Sequence, residues 1–211
     1  DEKAALGGAR EMNSSQANSQ GVYVVINPHT GNALTELIYA GYDKLNEVLG
    51  GIMPVSNATL ATVDIRKRAA ELGASVDSSA HSRGTLTEVL ATQYQLRTGQ
   101  ENLNISSQFF YGGAANAQRA ADNLNQATNG KGHLYQSTHT SDPVGTLVGG
   151  NEPTGGVPWS NPIEAHVQYG PNPNNRDDRM KVWVQTNLDA LWVAPSNSLS
   201  ELEVAPKEGR P

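Results

Sequence analysis

The sequence predicts an α/β fold, a three-layer α/β sandwich with a mostly parallel sheet, and three observations support this prediction. Short apolar runs typical of buried strands alternate with segments of helical period at least three times. Glycine-containing turns separate these segments, for example at Gly50-Gly51 and Gly112-Gly113. Alternation of this kind is typical of parallel sheets whose two faces are covered by helices.

The composition limits both the architecture and the function. A chain of 211 residues is long enough for one domain with a sizeable core. The charged fraction of only 17% and the abundance of Asn, Gln, Ser and Thr suit a secreted protein. The absence of cysteine excludes disulfides, thiolate chemistry and cysteine zinc sites. The formal net charge of -6 argues against a nucleic-acid partner, because phosphate binding needs a basic surface.

No apolar run reaches the roughly 18–20 residues that a membrane-spanning helix needs, so stable membrane insertion is not expected. The chain begins with Asp1 and shows no signal peptide, which predicts an excised piece of a longer polypeptide. Within it, residues 1–20 are polar and aperiodic and are expected to be a linker or a weakly ordered arm. Residues 21–195 should form the α/β domain, and residues 196–211 a tail.

The first third of the domain contains one predicted strand and two predicted helices. Residues 22–26 are a continuous apolar run, which predicts a central strand covered on both faces. Apolar residues then recur at helical spacing over 34–49, which predicts an amphipathic helix that ends at Gly50. A second helix is expected from Ser56 or Asn57 to Gly73. The run Arg66-Lys67-Arg68 on this helix is expected to be a solvated face.

The rest of the chain continues the alternation. A strand around Val76 leads into a helix that ends near Arg97. The following segments are a strand over 104–111, an alanine-rich helix over 114–128, a weaker strand over 133–138, a long surface loop over 149–162, and a strand over 180–186 that could pair with 191–193.

The segment Ala80-His81-Ser82-Arg83-Gly84 lies where the Val76 strand passes into the next helix, and it has the pattern of a nucleophile elbow. Such a turn places a serine between very small residues and directs its hydroxyl towards a helix N-terminus, where developing negative charge is stabilised. Ala80 replaces the usual first glycine. The alternative is an ordinary helix-start turn in which Ser82 is only a cap.

A serine nucleophile needs a base and an acid that orients the base, and on this fold they follow in the order Ser, acid, His. Asp142 and His166 follow Ser82 in that order, which predicts a catalytic triad. Asp142 could instead be a turn residue before a proline, and His166 a histidine at a loop edge. His139 is the alternative base, and His81 is expected to support the turn.

An oxyanion hole would use the backbone N–H of Arg83 and a second N–H near Pro28 or His29. Loop 27–31 should lie with the triad beyond the carboxyl ends of the strands, where ligands bind in such sheets. The five histidines show no metal-ligand spacing, so neither a metal nor a cofactor is expected. The glycine pairs lack the Lys-Ser/Thr that a phosphate loop requires.

Several blocks resemble a region of large secreted exoproteins of the filamentous haemagglutinin and contact-dependent growth inhibition (CdiA-like) type. These blocks are Asn27-Pro28 with the helix over 34–49, the elbow over 80–84, the Phe-Tyr-Gly-Gly-Ala-Ala-Asn-Ala-Gln block over 110–118, the block over 142–151 that begins Asp-Pro-Val-Gly and contains Gly149-Gly150-Asn151, and His-Val-Gln-Tyr-Gly over 166–170. The elbow, Asp-Pro-Val and His-x-x-Tyr are also similar to the triad positions of class 3 lipases.

The resemblance implies a lipase-like α/β-hydrolase module in a secreted bacterial toxin or adhesin. It would be delivered to a neighbouring cell and, if toxic, neutralised by a cognate immunity protein. Three hypotheses follow: a serine hydrolase acting on an ester or acyl substrate, a non-catalytic module that serves delivery or partner binding, and a nuclease toxin. The acidic charge balance speaks against the last.

Overall fold

Five strands form one mixed sheet in the computed structural model, which describes residues 23, 25, 27, 33–155, 161–167, 169, 192–194 and 203–204. In sheet order these are β1 Val76–His81, β2 Ile105–Tyr111, β3 His133–Ser137, β4 Trp192–Ala194 and β5 Glu203–Val204. β1, β2 and β3 are parallel, whereas β4 and β5 are antiparallel to their neighbours. The predicted α/β class is therefore confirmed, and the predicted parallel sheet is confirmed for β1, β2 and β3.

The helices lie between these strands in the chain. They are α1 Ala33–Val48, α2 Asn57–Glu71, α3 Gly84–Arg97, α4 Ala117–Thr128 and α5 Pro162–Val167, and a single π-helical turn spans Val144–Val148. Ser56 caps α2 by accepting the N–H of Thr59 at 3.2 Å. Asn116 caps α4 in the same way by accepting the N–H of Arg119 at 3.0 Å. Side-chain caps thus fix where these two helices begin.

The core lies between the parallel strands and helices α3 and α4. Alanines on one face of α4 allow this helix to lie close to the sheet, and Leu124 fills the remaining space. The buried cluster comprises Ala80, Leu86, Val89, Ile105, Phe110, Ala114, Ala115, Ala117, Ala120, Ala121, Leu124 and Leu134. Because α3 is part of this cluster, the turn that precedes α3 is supported by the buried core.

Two predictions for the first third of the domain are corrected by the structure. Of the predicted central strand over 22–26, Tyr23 and Val25 are described and neither lies in a strand, and Tyr23 is 68% exposed. Arg66 was predicted to be solvated and is only 4% exposed, because its guanidinium pairs with Glu88 at 2.5 Å. Lys67 and Arg68 are exposed as predicted.

Helix α1 presents its polar face to the protein. Asp43, Asn46 and Glu47 are buried against the rest of the fold. The apolar side chains of α1 face outwards instead; the exposed ones are Leu37, Ile38, Tyr39, Tyr42, Leu45 and Val48. The helical period was therefore predicted correctly, but the face that packs is the opposite of what an apolar stripe indicates.

The remaining predicted segments are reproduced within a few residues where they are described. The predicted strand over 191–193 corresponds to β4, and two residues of the predicted tail form β5. The arm over 1–20 and the strand over 180–186 lie outside the described residues. No helix in the described ranges has the length and apolar character to cross a membrane.

Candidate active site

Ser82 lies in a sharp turn between β1 and α3. Its φ of +53° is in the left-handed region, which non-glycine residues rarely adopt. A Cβ built on Gly84 would lie 3.7 Å from the Cβ of Ala80, an ordinary van der Waals distance. The alanine in place of the usual glycine is therefore accommodated, and the two flanking residues pack against each other across the turn.

Hydrogen bonds to neighbouring elements hold this turn in place. The N–H of Ser82 donates to the carbonyl of Tyr111 at the end of β2, at 3.1 Å. The carbonyl of Ser82 accepts from the N–H of Ala114 at 3.2 Å and from the Thr85 hydroxyl at 2.7 Å. Because both backbone groups of Ser82 are bonded, the surrounding structure can sustain the unfavourable φ.

His166 lies between Ser82 and Asp142. Its Nε2 is 2.8 Å from Ser82 Oγ, and its Nδ1 is 2.9 Å from Asp142 Oδ1. Since the carboxylate can only accept, Nδ1 carries the proton of the neutral imidazole, and Nε2 accepts the Ser82 hydroxyl proton. The structure thus brings the three residues together in the order that proton transfer from serine requires.

Asp142 is fully buried just beyond β3. Its Oδ1 also accepts the N–H groups of Val144 at 2.8 Å and Gly145 at 3.1 Å, and its Oδ2 accepts the hydroxyl of Tyr169 at 2.6 Å. Burial alone would raise the pKa of Asp142, but the hydrogen bonds from His166 and Tyr169 outweigh it and hold the pKa below its ordinary value. Asp142 is therefore a carboxylate at neutral pH.

His81 supports the base rather than the nucleophile. Its ring stacks on the ring of His166 with centroids 4.8 Å apart, and its Nε2 lies 2.7 Å from the His166 carbonyl oxygen. Burial, reinforced by the neighbouring imidazole, lowers the pKa of His81 to about 4. Because His81 is then neutral at pH 7 and the carbonyl only accepts, Nε2 is the protonated nitrogen and donates this hydrogen bond.

The candidate oxyanion residues are only partly described. Arg83 directly precedes the first residue of α3, so its backbone N–H belongs to the N-terminus of that helix. The guanidinium of Arg83 pairs with Asp43 at 2.9 Å and with Glu36 at 3.2 Å, which ties α1 to the turn.

The other two candidate oxyanion residues, Pro28 and His29, lie outside the described residues. Asn27 is described, and its Oδ1 accepts the Thr87 hydroxyl at 3.2 Å in the first turn of α3.

His139, the alternative base, is buried beside the acid. Its Nδ1 accepts the N–H of Ser141 at 3.0 Å, and its backbone N–H donates to the Tyr169 hydroxyl at 2.8 Å. His166 is the histidine that contacts both Ser82 and Asp142. His166 is therefore the histidine placed where a base could accept the Ser82 proton.

Two features of the site were not predicted from the sequence. One is Tyr169, whose hydroxyl contacts the acid. The other is Asn151, whose amide donates to the carbonyls of Gly113 and Ala115 at 2.9 Å each and accepts the N–H of Ala117 at 2.8 Å. Asn151 thereby joins the loop after β2 to the segment after Asp142. The sequence signals for these roles are Gly149-Gly150-Asn151, at the end of the block over 142–151, and the His-x-x-Tyr spacing of residues 166–169.

Within the described ranges, no group of three or more His, Asp or Glu side chains could hold a metal ion. Comparisons with protein-family models, with curated proteins and with solved structures gave no match.

Proposed function

We propose that this protein is a serine hydrolase of the carboxylic ester class, with an α/β-hydrolase-like, three-layer fold. Ser82 is the nucleophile, His166 is the base and Asp142 is the acid that orients it. The observation that carries the proposal is the continuous hydrogen-bonded chain from Ser82 Oγ through both ring nitrogens of His166 to Asp142. The positive φ of Ser82 supports it, because strained non-glycine turns cluster at functional sites.

The proposed reaction begins when Ser82 Oγ attacks the carbonyl carbon of an ester or acyl substrate. His166 Nε2 takes the hydroxyl proton, and the resulting imidazolium is stabilised by the buried carboxylate of Asp142. Negative charge develops on the substrate oxygen near the N-terminus of α3, where the Arg83 N–H can donate. His166 then returns its proton to the leaving group, and water releases the acyl group by the same steps.

The setting we propose is a secreted or cell-surface bacterial exoprotein. The support is the resemblance of the elbow, the Gly-Gly-Ala-Ala-Asn block and the Asp-Pro-Val block to filamentous haemagglutinin and contact-dependent growth inhibition exoproteins. In that setting the domain is a lipase-like effector delivered to a target cell, and its protein partner is a cognate immunity protein. No cofactor takes part in the proposed reaction.

A fluorophosphonate probe tests the proposal, because it reacts only with an activated serine. Wild-type protein should be labelled covalently, and Ser82→Ala should not. Ser79→Ala in β1 is the matched control and should be labelled like wild type, because Ser79 lies in the strand and outside the hydrogen-bonded chain. Absence of labelling in folded wild-type protein would contradict the proposal and favour a non-catalytic module that serves delivery or partner binding.

A further inference from the structure

We infer that Tyr169 is a positioning residue that fixes the carboxylate of Asp142 and, through it, the ring of His166. This inference rests on the proposed function. The Tyr169 hydroxyl is 2.6 Å from Asp142 Oδ2, whereas His166 Nδ1 contacts Oδ1. Tyr169 therefore contacts the triad from the side of the acid and is not placed to touch the substrate carbonyl.

A carboxylate held through one oxygen can still rotate about its Cβ–Cγ bond. Asp142 Oδ1 accepts from His166 and from the N–H groups of Val144 and Gly145. The Tyr169 hydroxyl is the donor on Oδ2. Donors on both oxygens fix the plane of the carboxylate, and this plane decides whether an Oδ1 lone pair points at His166.

The hydroxyl of Tyr169 has one proton, and its neighbours direct that proton to Asp142. The His139 N–H donates to the Tyr169 oxygen at 2.8 Å, so one lone pair of that oxygen is occupied. Burial, followed by the negative charge of Asp142, raises the pKa of Tyr169 well above its ordinary value. The phenol therefore stays protonated, and it remains a donor throughout the pH range of an activity assay.

The ring of Tyr169 fits a space that only glycine leaves open. Gly112 has a φ of +52°, and a Cβ built there would lie 2.6 Å from Tyr169 Cε2 and 2.5 Å from Asp142 Oδ2. Tyr169 is 8% exposed, and the centroid of its ring lies 5.6 Å from the centroid of the His81 ring. Tyr169 follows His166 by three residues, so one short segment supplies both the base and the donor that orients the acid.

Removing the hydroxyl should have two effects. The carboxylate loses its fixed plane, which should slow labelling of Ser82 by about tenfold, the equivalent of one charge-assisted hydrogen bond. With one donor fewer, the carboxylate also accepts more strongly from His166, so the acid limb of the pH–rate profile should move to higher pH. Among the residues that the structure describes, the titratable groups that face Asp142 are His166, Tyr169 and the imidazoles of His81 and His139.

The experiment compares wild type, Tyr169→Phe and the control Tyr135→Phe, whose ring stacks on Phe109 in the sheet. The rate of fluorophosphonate labelling is measured from pH 5 to 9, and the ring of His166 is observed by NMR in the same proteins. A fourth variant combines Tyr169→Phe with Asp142→Asn. Because no carboxylate is left to orient, the tyrosine substitution should change its labelling rate less than about twofold relative to Asp142→Asn alone.

Slower labelling of Tyr169→Phe with a shifted acid limb, and an unchanged Tyr135→Phe, would support the inference. The inference would be overturned if wild type and Tyr169→Phe had the same labelling rate, the same acid limb and the same His166 NMR signals. It would also be overturned if Tyr169→Phe slowed labelling by the same factor in the Asp142→Asn background as in wild type. If wild type is not labelled at all, the proposed function fails, and the NMR signals alone decide. A moved His166 signal then supports the positioning role, and an unmoved one refutes it.

Discussion

Ser82 has a backbone conformation that L-residues adopt at a cost of about 1–2 kcal/mol. Two kinds of contact offset this cost, namely the hydrogen bonds of its N–H and carbonyl and the close packing of Ala80 against Gly84. In the adjacent helix start, Thr85 also accepts the Ala115 N–H at 2.9 Å. In this conformation the Ser82 hydroxyl lies 2.8 Å from His166 Nε2.

His81 makes the stability of the folded protein depend on pH. Its pKa is about 4 in the folded state and 6.5 in a model peptide, so between these values the unfolded chain binds more protons than the folded one. Stability is therefore fully present above pH 6.5 and falls as the pH is lowered towards 4. The contribution of His81 to this loss is about 3 kcal/mol.

We expect His81→Gln to remove that contribution while keeping a donor near the His166 carbonyl. The free energy of unfolding would be measured by urea denaturation at pH 7 and pH 4.5 for wild type, His81→Gln and the exposed control His133→Gln. The wild type should lose about 2 kcal/mol more than His81→Gln over this interval. Equal pH dependence in the two proteins would show that His81 takes up its proton normally in the fold.

Helix α2 is joined to α3 and the sheet through a partly buried ion pair between Arg66 and Glu88. Arg66 donates to Glu88 at 2.5 Å and to Gln95 at 2.9 Å, and Glu88 Oε2 also accepts from Ser78 and Gln108. A buried charge left without its partner is strongly destabilising. The Arg66 guanidinium therefore links α2 to β1 and β2 through Glu88.

Replacing Arg66 by Met should lower the free energy of unfolding by about 2–3 kcal/mol, because the partly buried Glu88 carboxylate would lose its charged donor and keep only Ser78 and Gln108. Arg68→Met is the matched control on the same helix, is exposed, and should change stability by less than about 0.5 kcal/mol. Chemical denaturation of both variants measures the difference. Similar stabilities for the two would mean that the ion pair does not hold α2.

Helix α1 is also held to the rest of the fold by charged side chains. Its inward face is polar, and Glu47 accepts the Asn116 N–H at 2.9 Å and pairs with Lys44 at 2.7 Å. The adjacent pair between Arg83 and Asp43 connects this helix to the turn that carries Ser82. Burial outweighs the nearby Arg83 charge and raises the pKa of Asp43. Charged contacts rather than apolar ones thus place α1 beside the candidate site.

The site is assembled from three segments that are far apart in the chain. Ser82 lies at the end of β1, Asp142 follows β3, and His166 is on α5. Gly112, just after β2, lies beside two of these segments, because a Cβ there would contact both Asp142 and Tyr169. The carboxyl ends of the three parallel strands therefore supply a common edge on which the nucleophile and the acid can meet.

Gly112→Ala should disrupt the positions of Asp142 and Tyr169. The added methyl group would displace the acid and Tyr169, so fluorophosphonate labelling should fall by at least about tenfold and stability by about 1–3 kcal/mol. Gly99→Ala is the control, because Gly99 has a comparable φ of +74° but open space around its Cβ position. It should cost about 1 kcal/mol without loss of labelling. Labelling of Gly112→Ala at the wild-type rate would show that Gly112 is needed only for its backbone conformation.

Local signals in the sequence predict β1 to β3, α1 to α4 and the candidate residues, but they also predict a strand at Tyr23 and Val25 that the structure does not contain. The elbow pattern around Ser82 and the order Ser, Asp, His depend on residue type and chain position, which are visible without coordinates. Side-chain caps such as Ser56 also acted locally, and α2 begins at the next residue. These features could be predicted because the interactions behind them span only a few residues.

Contacts between distant segments cannot be predicted in this way, because two side chains of the same type can compete for one position. The tertiary structure placed His166 rather than His139 between Ser82 and Asp142, buried Arg66 while leaving Arg68 exposed, and turned the polar face of α1 inwards. It also brought Tyr169 to the second oxygen of Asp142. The physical reason is that these contacts join residues distant in the chain, and their geometry depends on how the sheet and its helices pack, which no local pattern encodes.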